Sequence, residues 1–164
     1  MNAQQLLDFI IVPTLKYMGG NYNSKNAQML LLATAAIESE CGYYIKQIGG
    51  PARGIWQMEP DTEESIWLNC DALDSDDFND LIVELLSDNL NEVGSESLML
   101  LPMYACAMAR LKYSMDSVAL PSFDDERAIY DYYKRIYNTH LGASTWEKFH
   151  AAWLHCGLDN VELR

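Results

Sequence analysis

Glu38 is the residue whose type and position best suit acid–base chemistry. It follows a run of apolar residues in the most hydrophobic helix that the sequence predicts, which starts with Ser24 as N-cap and extends to about Gly42. Removing water from a carboxylate raises its pKa, so a buried glutamate can hold a proton near neutral pH. A glycosidic bond breaks when its leaving oxygen receives such a proton. Position alone leaves a second interpretation open, in which Glu38 turns outward on the last helical turn and is solvated.

A second motif follows Glu38 in the chain. Gln57 lies 19 positions later and ends the sequence Gly-Ile-Trp-Gln. The combination resembles the soluble lytic transglycosylases and goose-type lysozymes of the lysozyme superfamily. Their first motif is Glu-Ser at the end of a buried helix, which Glu38 and Ser39 match. Their second motif is Gly-Leu-Met-Gln with a proline and a threonine after it, and Pro60 and Thr62 keep those offsets here.

The resemblance implies a substrate and a mechanism. The substrate is the β-1,4 bond between N-acetylmuramic acid and N-acetylglucosamine in peptidoglycan. Glu38 first donates its proton to the glycosidic oxygen and then accepts a proton from the C6 hydroxyl of the muramoyl ring, which closes a 1,6-anhydro product. One carboxylate suffices for this cycle, whereas most glycosidases use two.

The resemblance also implies which residues bind the substrate and how. Ser39 orients Glu38, the 54–57 segment holds the N-acetyl groups, and Tyr137 donates a hydrogen bond to the glutamate. The substrate-binding residues implied in this way are Ser39, Gly54, Ile55, Trp56, Gln57, Tyr137 and Asn138.

Two of these residues have alternative interpretations. The family closes its site with Ala-Tyr-Asn, whereas Ile136 precedes Tyr137 here, so Tyr137 could equally be one more core aromatic residue. Trp56 stands where the family has methionine. Its indole could stack on a sugar ring and donate a hydrogen bond, or it could be a core tryptophan.

Two further functions remain open beside the lytic transglycosylase, which is a lyase because it consumes no water. A hydrolytic lysozyme (muramidase) would need a second carboxylate, and Glu59, Asp61 and Glu63 lie just beyond the second motif. A non-catalytic virion structural or wall-binding protein could keep the lysozyme fold. The net charge of −13 favours this last alternative, because the polymers of the bacterial wall are largely anionic.

The elements that must position these residues are helical. The sequence predicts a mainly α, lysozyme-like helical domain over residues 1–164, with at most a short β-hairpin near 47–58. The resemblance implies that the acidic segment around 63–96 is a helical insertion. After the helix that carries Glu38, the sequence predicts helices at 62–70, 78–92, 96–115 (interrupted at Pro102), 124–138 and 145–156.

Charge and composition exclude several classes of partner. The 164 residues contain 24 acidic and 11 basic residues, and 13 of the acidic residues lie within 59–96, which favours a solvated acidic face. Nucleic-acid binding is not expected, because phosphate contacts need clustered positive charge. Membrane insertion is not expected either, since no apolar run approaches the roughly 20 residues that span a bilayer.

The N-terminal sequence does not resemble a signal peptide, because no Lys or Arg precedes its apolar stretch. The motifs look most like small phage-encoded proteins. The resemblance therefore implies a virion component, or a protein made in the host cytoplasm, that acts at the bacterial cell wall. Its partners would be peptidoglycan glycan strands and other virion proteins.

No cofactor or metal is expected. His140, His150 and His155 provide no pair at the i, i+4 spacing of a helical zinc site. The four cysteines are widely spread without a Cys-x-x-Cys motif, so we expect buried thiols instead of a disulfide framework.

Overall fold

The computed structural model describes residues 1–87, 96–139 and 142–164. The described chain is mainly helical, which confirms the predicted fold class. The α-helices are α1 (Ala3–Leu6), α2 (Val12–Met18), α3 (Lys25–Ser39), α4 (Pro60–Asn69), α5 (Asp76–Ser87), α6 (Ser97–Leu100), α7 (Pro102–Ser114), α8 (Glu126–Tyr133) and α9 (Trp146–Cys156). Two π-helical turns, Leu7–Ile11 and Lys134–Asn138, follow α1 and α8. Short 3-10 turns lie at Gly20–Tyr22, Asp71–Asp74 and Leu158–Asn160.

The segment between α3 and α4 has little regular structure. The described residues contain no β-strand, and the short hairpin allowed for near 47–58 is limited to two isolated antiparallel bridges. These bridges pair Arg53 with Lys46 and with Met58. Arg53 and Met58 exchange two backbone hydrogen bonds of 2.9 Å, which close the turn that carries Gln57.

Helix α3 is the central element of the core. Ser24 caps its N-terminus as predicted, since the Ser24 Oγ accepts a hydrogen bond of 3.1 Å from the Ala27 amide. Its residues are buried on nearly every side because α7, α8 and α9 pack against it. The helix ends at Ser39, earlier than the predicted end near Gly42. The reason is that Glu40 and Cys41 adopt positive φ angles of 51° and 55°, which stop the helical hydrogen-bond pattern.

Helices α6 and α7 are separated at Pro102, as predicted from the sequence. Pro102 is the first residue of α7, where its missing amide proton costs no hydrogen bond. Helix α7 packs against α3, and Thr34 Oγ1 lies 2.7 Å from Tyr113 Oη across this contact. The buried apolar residues form one cluster that extends from Ala3 to Leu158.

The described part of the acidic segment forms α4, the turn Asp71–Asp74 and α5. Helix α5 packs against α2 and α7, and Tyr22 stacks on Phe78 with ring centroids 5.2 Å apart. The acidic side chains at 71, 74, 76, 77, 80 and 84 are exposed, as a solvated acidic face requires. The end of the predicted helix 78–92 and the rest of the acidic segment, residues 88–95, lie outside the described residues.

All four cysteines are free thiols, and Cys41, Cys70 and Cys106 are buried as expected, whereas Cys156 is half-buried. Among the described residues, no helix combines the length and apolarity that crossing a lipid bilayer requires.

Candidate active site

A groove of about 660 Å³ opens beside the C-terminal end of α3. This volume falls within the range of about 300–1,000 Å³ that is usual for ligand sites. Its walls come from the end of α3, the 47–62 segment, α7, the turn that follows α8, and residues 142–148. The groove therefore joins parts of the chain that lie about a hundred positions apart. The predicted site residues that line it are Glu38, Gln57, Tyr137 and Asn138.

Glu38 lies at the wall of this groove and is largely shielded from water. Burial raises the pKa of Glu38 from 4.5 to about 7, and a hydrogen bond from Tyr133 opposes part of that rise. In this bond Tyr133 Oη donates to Glu38 Oε1 at 2.6 Å. The carboxyl group therefore keeps its proton to higher pH than an exposed glutamate does, and it belongs to a residue that lines an open groove, which suits an acid–base catalyst.

Ser39 connects the end of α3 to the turn that carries Gln57. Its side chain is buried and does not line the groove. Ser39 Oγ donates to the carbonyl oxygen of Ile55 at 2.5 Å and accepts a hydrogen bond from the Gly42 amide at 2.9 Å. Ser39 therefore stabilises the site without lining the groove, because it holds the 54–57 turn against the helix that carries Glu38.

Gly54 and Gln57 define the shape of that turn. Gly54 has φ +75°, and a Cβ atom at this position would lie 2.1 Å from the carbonyl oxygen of Leu98. Gln57 also has a positive φ of 43°, and its Nε2 donates to the Gly54 carbonyl at 2.8 Å. The amide side chain of Gln57 is thereby held at the groove, whereas Gly54 and Ile55 lie buried behind it.

The structure excludes the stacking role considered for Trp56. The indole is fully buried, and its Nε1 donates to the Leu31 carbonyl at 2.9 Å inside the core. Trp56 contributes to the site through its backbone, because its carbonyl oxygen accepts a hydrogen bond of 2.9 Å from Tyr137 Oη. The ring anchors the turn to α3 and is a core tryptophan.

The tyrosine that contacts Glu38 is Tyr133, so the prediction that Tyr137 donates to the glutamate is wrong. Tyr137 lines the groove but uses its hydroxyl group on the Trp56 carbonyl. The rings of Tyr133 and Tyr137 are stacked with centroids 6.2 Å apart. Tyr133 lies four positions before Tyr137, a spacing that places both side chains on one helical face. That spacing was the signal in the sequence that could have identified Tyr133.

No protein-family model, curated protein or solved structure matches this chain. The candidate site is therefore defined by its own geometry.

Asn138 lines the groove, but its side chain is already engaged. Lys134 Nζ donates to Asn138 Oδ1 and to the Gly142 carbonyl, both at 2.7 Å. This arrangement connects the π-helical turn after α8 to residues 142–144, which also line the groove. The amide nitrogen of Asn138 is the part that remains for a ligand.

The three candidates for a second carboxylate occupy different places. Glu59 lines the groove with Glu38, and its side chain is exposed. Asp61 lines a neighbouring groove of about 340 Å³. Glu63 accepts a hydrogen bond of 2.6 Å from Tyr104 Oη, and burial raises its pKa. Glu59 is therefore the candidate that shares a cavity with Glu38.

Within the described ranges, no group of three or more His, Cys, Asp or Glu side chains is arranged to hold a metal ion. His150 instead contacts Glu126 at 2.8 Å, and His155 lies 3.7 Å from Glu40. His140 lies outside the described residues. The chemistry that the groove offers is acid–base chemistry at Glu38.

Proposed function

We propose that the protein is a peptidoglycan-cleaving lytic transglycosylase of the lysozyme superfamily and that Glu38 is its catalytic acid and base. The observation that carries the proposal is a shielded glutamate with a pKa of about 7 at the wall of an open groove. The motif resemblance at Glu38, Ser39 and Gln57 adds the substrate class. Peptidoglycan glycan strands are the proposed partner, and a virion or the host cell wall is the proposed site of action.

In this proposal, one carboxyl group in the groove serves both halves of the reaction. Protonated Glu38 donates to the glycosidic oxygen as the bond from that oxygen to C1 breaks. The resulting carboxylate accepts the proton of the C6 hydroxyl group, whose oxygen then bonds to C1. Glu38 regains its proton in this step, no water is consumed, and the product is a 1,6-anhydro sugar. A pKa near neutrality suits a group that must act first as an acid and then as a base.

The supporting residues have distinct tasks in this proposal. Tyr133 holds the Glu38 carboxyl group in one orientation. Gln57 and the amide nitrogen of Asn138, which both line the groove, bind the N-acetyl groups of the substrate. Tyr137 and Ser39 act as positioning residues, because both fix the turn that carries Gln57.

Digestion of purified sacculi tests the proposal. Mass spectrometry of the released muropeptides is expected to find 1,6-anhydro ends, and Glu38→Gln is expected to abolish their release. Glu40→Gln is the matched control, because Glu40 is an exposed glutamate two positions away, paired with His155 outside the groove. The absence of turnover by the wild-type protein, with equal binding by wild type and Glu38→Gln, would instead favour a non-catalytic wall-binding protein.

The hydrolytic lysozyme is kept as a second candidate because Glu59 shares the groove with Glu38. A hydrolase would produce reducing ends and would lose most of its activity in Glu59→Gln. The lyase is expected to retain activity in that variant, since it needs one carboxyl group. The end groups in a single digest distinguish the two reactions.

A further inference from the structure

Lys112 occupies the junction between two cavities. It lies near the C-terminal end of α7, is half-buried, and lines both the groove at Glu38 and the neighbouring groove of about 340 Å³. Thr62 is the other described residue that lines both. The two cavities therefore adjoin, and a ligand that extends from one cavity into the other would pass Lys112.

The ammonium group of Lys112 has no partner within the described chain. It makes no hydrogen bond or ion pair there, and burial lowers its pKa. Asp116, which lines the second groove, is instead held by Arg135 through contacts of 2.7 and 3.1 Å. A half-buried cation without a counter-charge costs folding free energy, so its position at a ligand groove calls for a functional explanation.

The local charge of the groove differs from that of the whole molecule. The chain carries a net charge of −13. The carboxyl and ammonium groups of the described lining residues are those of Glu38, Glu59, Lys112 and Lys148. These charges balance when Glu38 is ionised and leave a net positive charge when it is protonated. An anionic ligand that would be repelled by the acidic face is therefore accommodated in the groove.

We propose that Lys112 is a specificity-determining residue and that its ammonium group binds a carboxylate carried by the saccharide substrate. The inference rests on the proposed function, because it names the substrate class of the same groove. In peptidoglycan the carboxylate comes from the peptide attached to muramic acid or, where that peptide has been removed, from the lactyl group that it leaves free. Polymers of N-acetylglucosamine alone carry no carboxylate, so the protein should discriminate against them.

Binding measurements on the full chain with Glu38→Gln, which leaves the saccharide uncleaved, test this inference. The probes are a neutral N-acetylglucosamine oligosaccharide, a peptidoglycan fragment stripped of peptide, and a fragment that keeps its peptide. Adding Lys112→Gln to the Glu38→Gln protein is expected to weaken binding of the carboxylate-bearing fragments by roughly 10-fold to 100-fold. Binding of the neutral oligosaccharide should stay unchanged, and Lys112→Arg should retain the preference. If Lys112→Gln weakens binding of the peptide-free fragment alone, Lys112 binds the lactyl carboxylate. If it weakens binding of the peptide-bearing fragment alone, Lys112 binds a carboxylate of the peptide.

Two lysine controls separate recognition from general charge effects. Lys25→Gln removes the same charge at the opposite end of α3, about 20 Å along the helix from Glu38, and should leave all three affinities unchanged. Lys148→Gln changes another lysine of the groove. Loss of the preference in Lys148→Gln but not in Lys112→Gln would overturn the proposal, as would equal weakening of all three probes by Lys112→Gln.

Folding is followed in the same samples. Because Lys112 is half-buried and has no partner among the described residues, adding Lys112→Gln to the Glu38→Gln protein should leave the melting temperature unchanged or raise it. If the double variant does not fold, the test uses the Glu38→Gln protein alone. Its preference for carboxylate-bearing fragments must then decrease with added salt, and a preference that salt does not change overturns the proposal. Failure of the Glu38→Gln protein to bind any of the three probes would reject the proposed function itself. Binding without discrimination rejects only the role of Lys112.

Discussion

At the scale of single residues, the site depends on two opposing influences on Glu38. Burial disfavours the charged carboxylate, and the Tyr133 hydroxyl group stabilises it by donating to Oε1. The balance leaves the pKa of Glu38 at about 7. Each influence belongs to an identifiable group, so each can be changed separately.

Removal of the Tyr133 hydroxyl group should move the titration of Glu38. In Tyr133→Phe the carboxylate loses its donor while the burial remains, so the pKa of Glu38 should rise above 7. The measurement is a pH titration of the ¹³C-labelled Glu38 carboxyl group by NMR. In an active protein, the fall of kcat/KM at alkaline pH should move to higher pH by the same amount, because the acid must be protonated.

Tyr137→Phe is the control for that experiment. Tyr137 lies one helical turn away, but its hydroxyl group donates to the Trp56 carbonyl and not to Glu38. The titration of Glu38 should change little in this variant. A larger shift in Tyr137→Phe than in Tyr133→Phe would contradict the assigned hydrogen bonds.

The raised pKa of Glu38 also predicts how stability depends on pH. The folded protein retains the proton up to about pH 7, whereas the unfolded chain releases it near 4.5. Stability contributed by the neutral group is complete below 4.5 and is lost as the pH rises to about 7. Above that pH, Glu38→Gln should be more stable than the wild type by on the order of 3 kcal/mol, and the difference should be smallest below pH 4.5.

Denaturant unfolding of wild type and Glu38→Gln at pH 4 and pH 8 measures this difference. Glu40→Gln provides the comparison at an exposed glutamate and should show no such change between the two pH values. An equal effect of both substitutions would mean that the burial of Glu38 does not govern its protonation.

At the scale of elements, the site depends on a short turn held against a long helix. The 54–57 turn is attached to α3 by Ser39 and by the Trp56 indole, and to the turn after α8 by Tyr137. Gly54 lets this turn approach the backbone at Leu98. Helix α3 and the 54–57 turn therefore keep one relative position.

Gly54→Ala should disrupt that arrangement strongly. The added Cβ would lie 2.1 Å from the Leu98 carbonyl oxygen, so the backbone must move. Gly49→Ala is a matched control, because Gly49 has a similar φ of +73° but open space where its Cβ would be. The control should lose about 1–2 kcal/mol of unfolding free energy from backbone strain, and Gly54→Ala clearly more. Similar losses in denaturant unfolding would argue against the close approach.

At the scale of the whole molecule, charge is separated between surface and groove. Exposed acids on α4 and α5 contribute to the net charge of −13, whereas two lysines and two acids line the groove. Repulsion among the surface acids opposes folding, and the groove is the described part of this surface where an anionic ligand would meet less repulsion.

Salt should therefore stabilise the fold. Raising sodium chloride from about 0.01 to about 0.15 M shortens the screening length from about 30 to about 8 Å and weakens the repulsion among the acids. The melting temperature should rise over this range. Potassium chloride should act equally, which separates screening from binding of a particular cation. An unchanged or lower melting temperature would show that the acidic face does not destabilise the fold.

The sequence by itself determined the helices, the burial of the residues before Glu38 and the glycine-rich turn at Gln57. These features depend on local periodicity, capping and φ preferences, which neighbouring residues decide. Only the tertiary structure decided that Tyr133 contacts Glu38, that Trp56 is a core residue and that Lys112 lines the groove. These contacts join segments that lie far apart in the chain, and close packing between helices selects one partner among several chemically similar side chains.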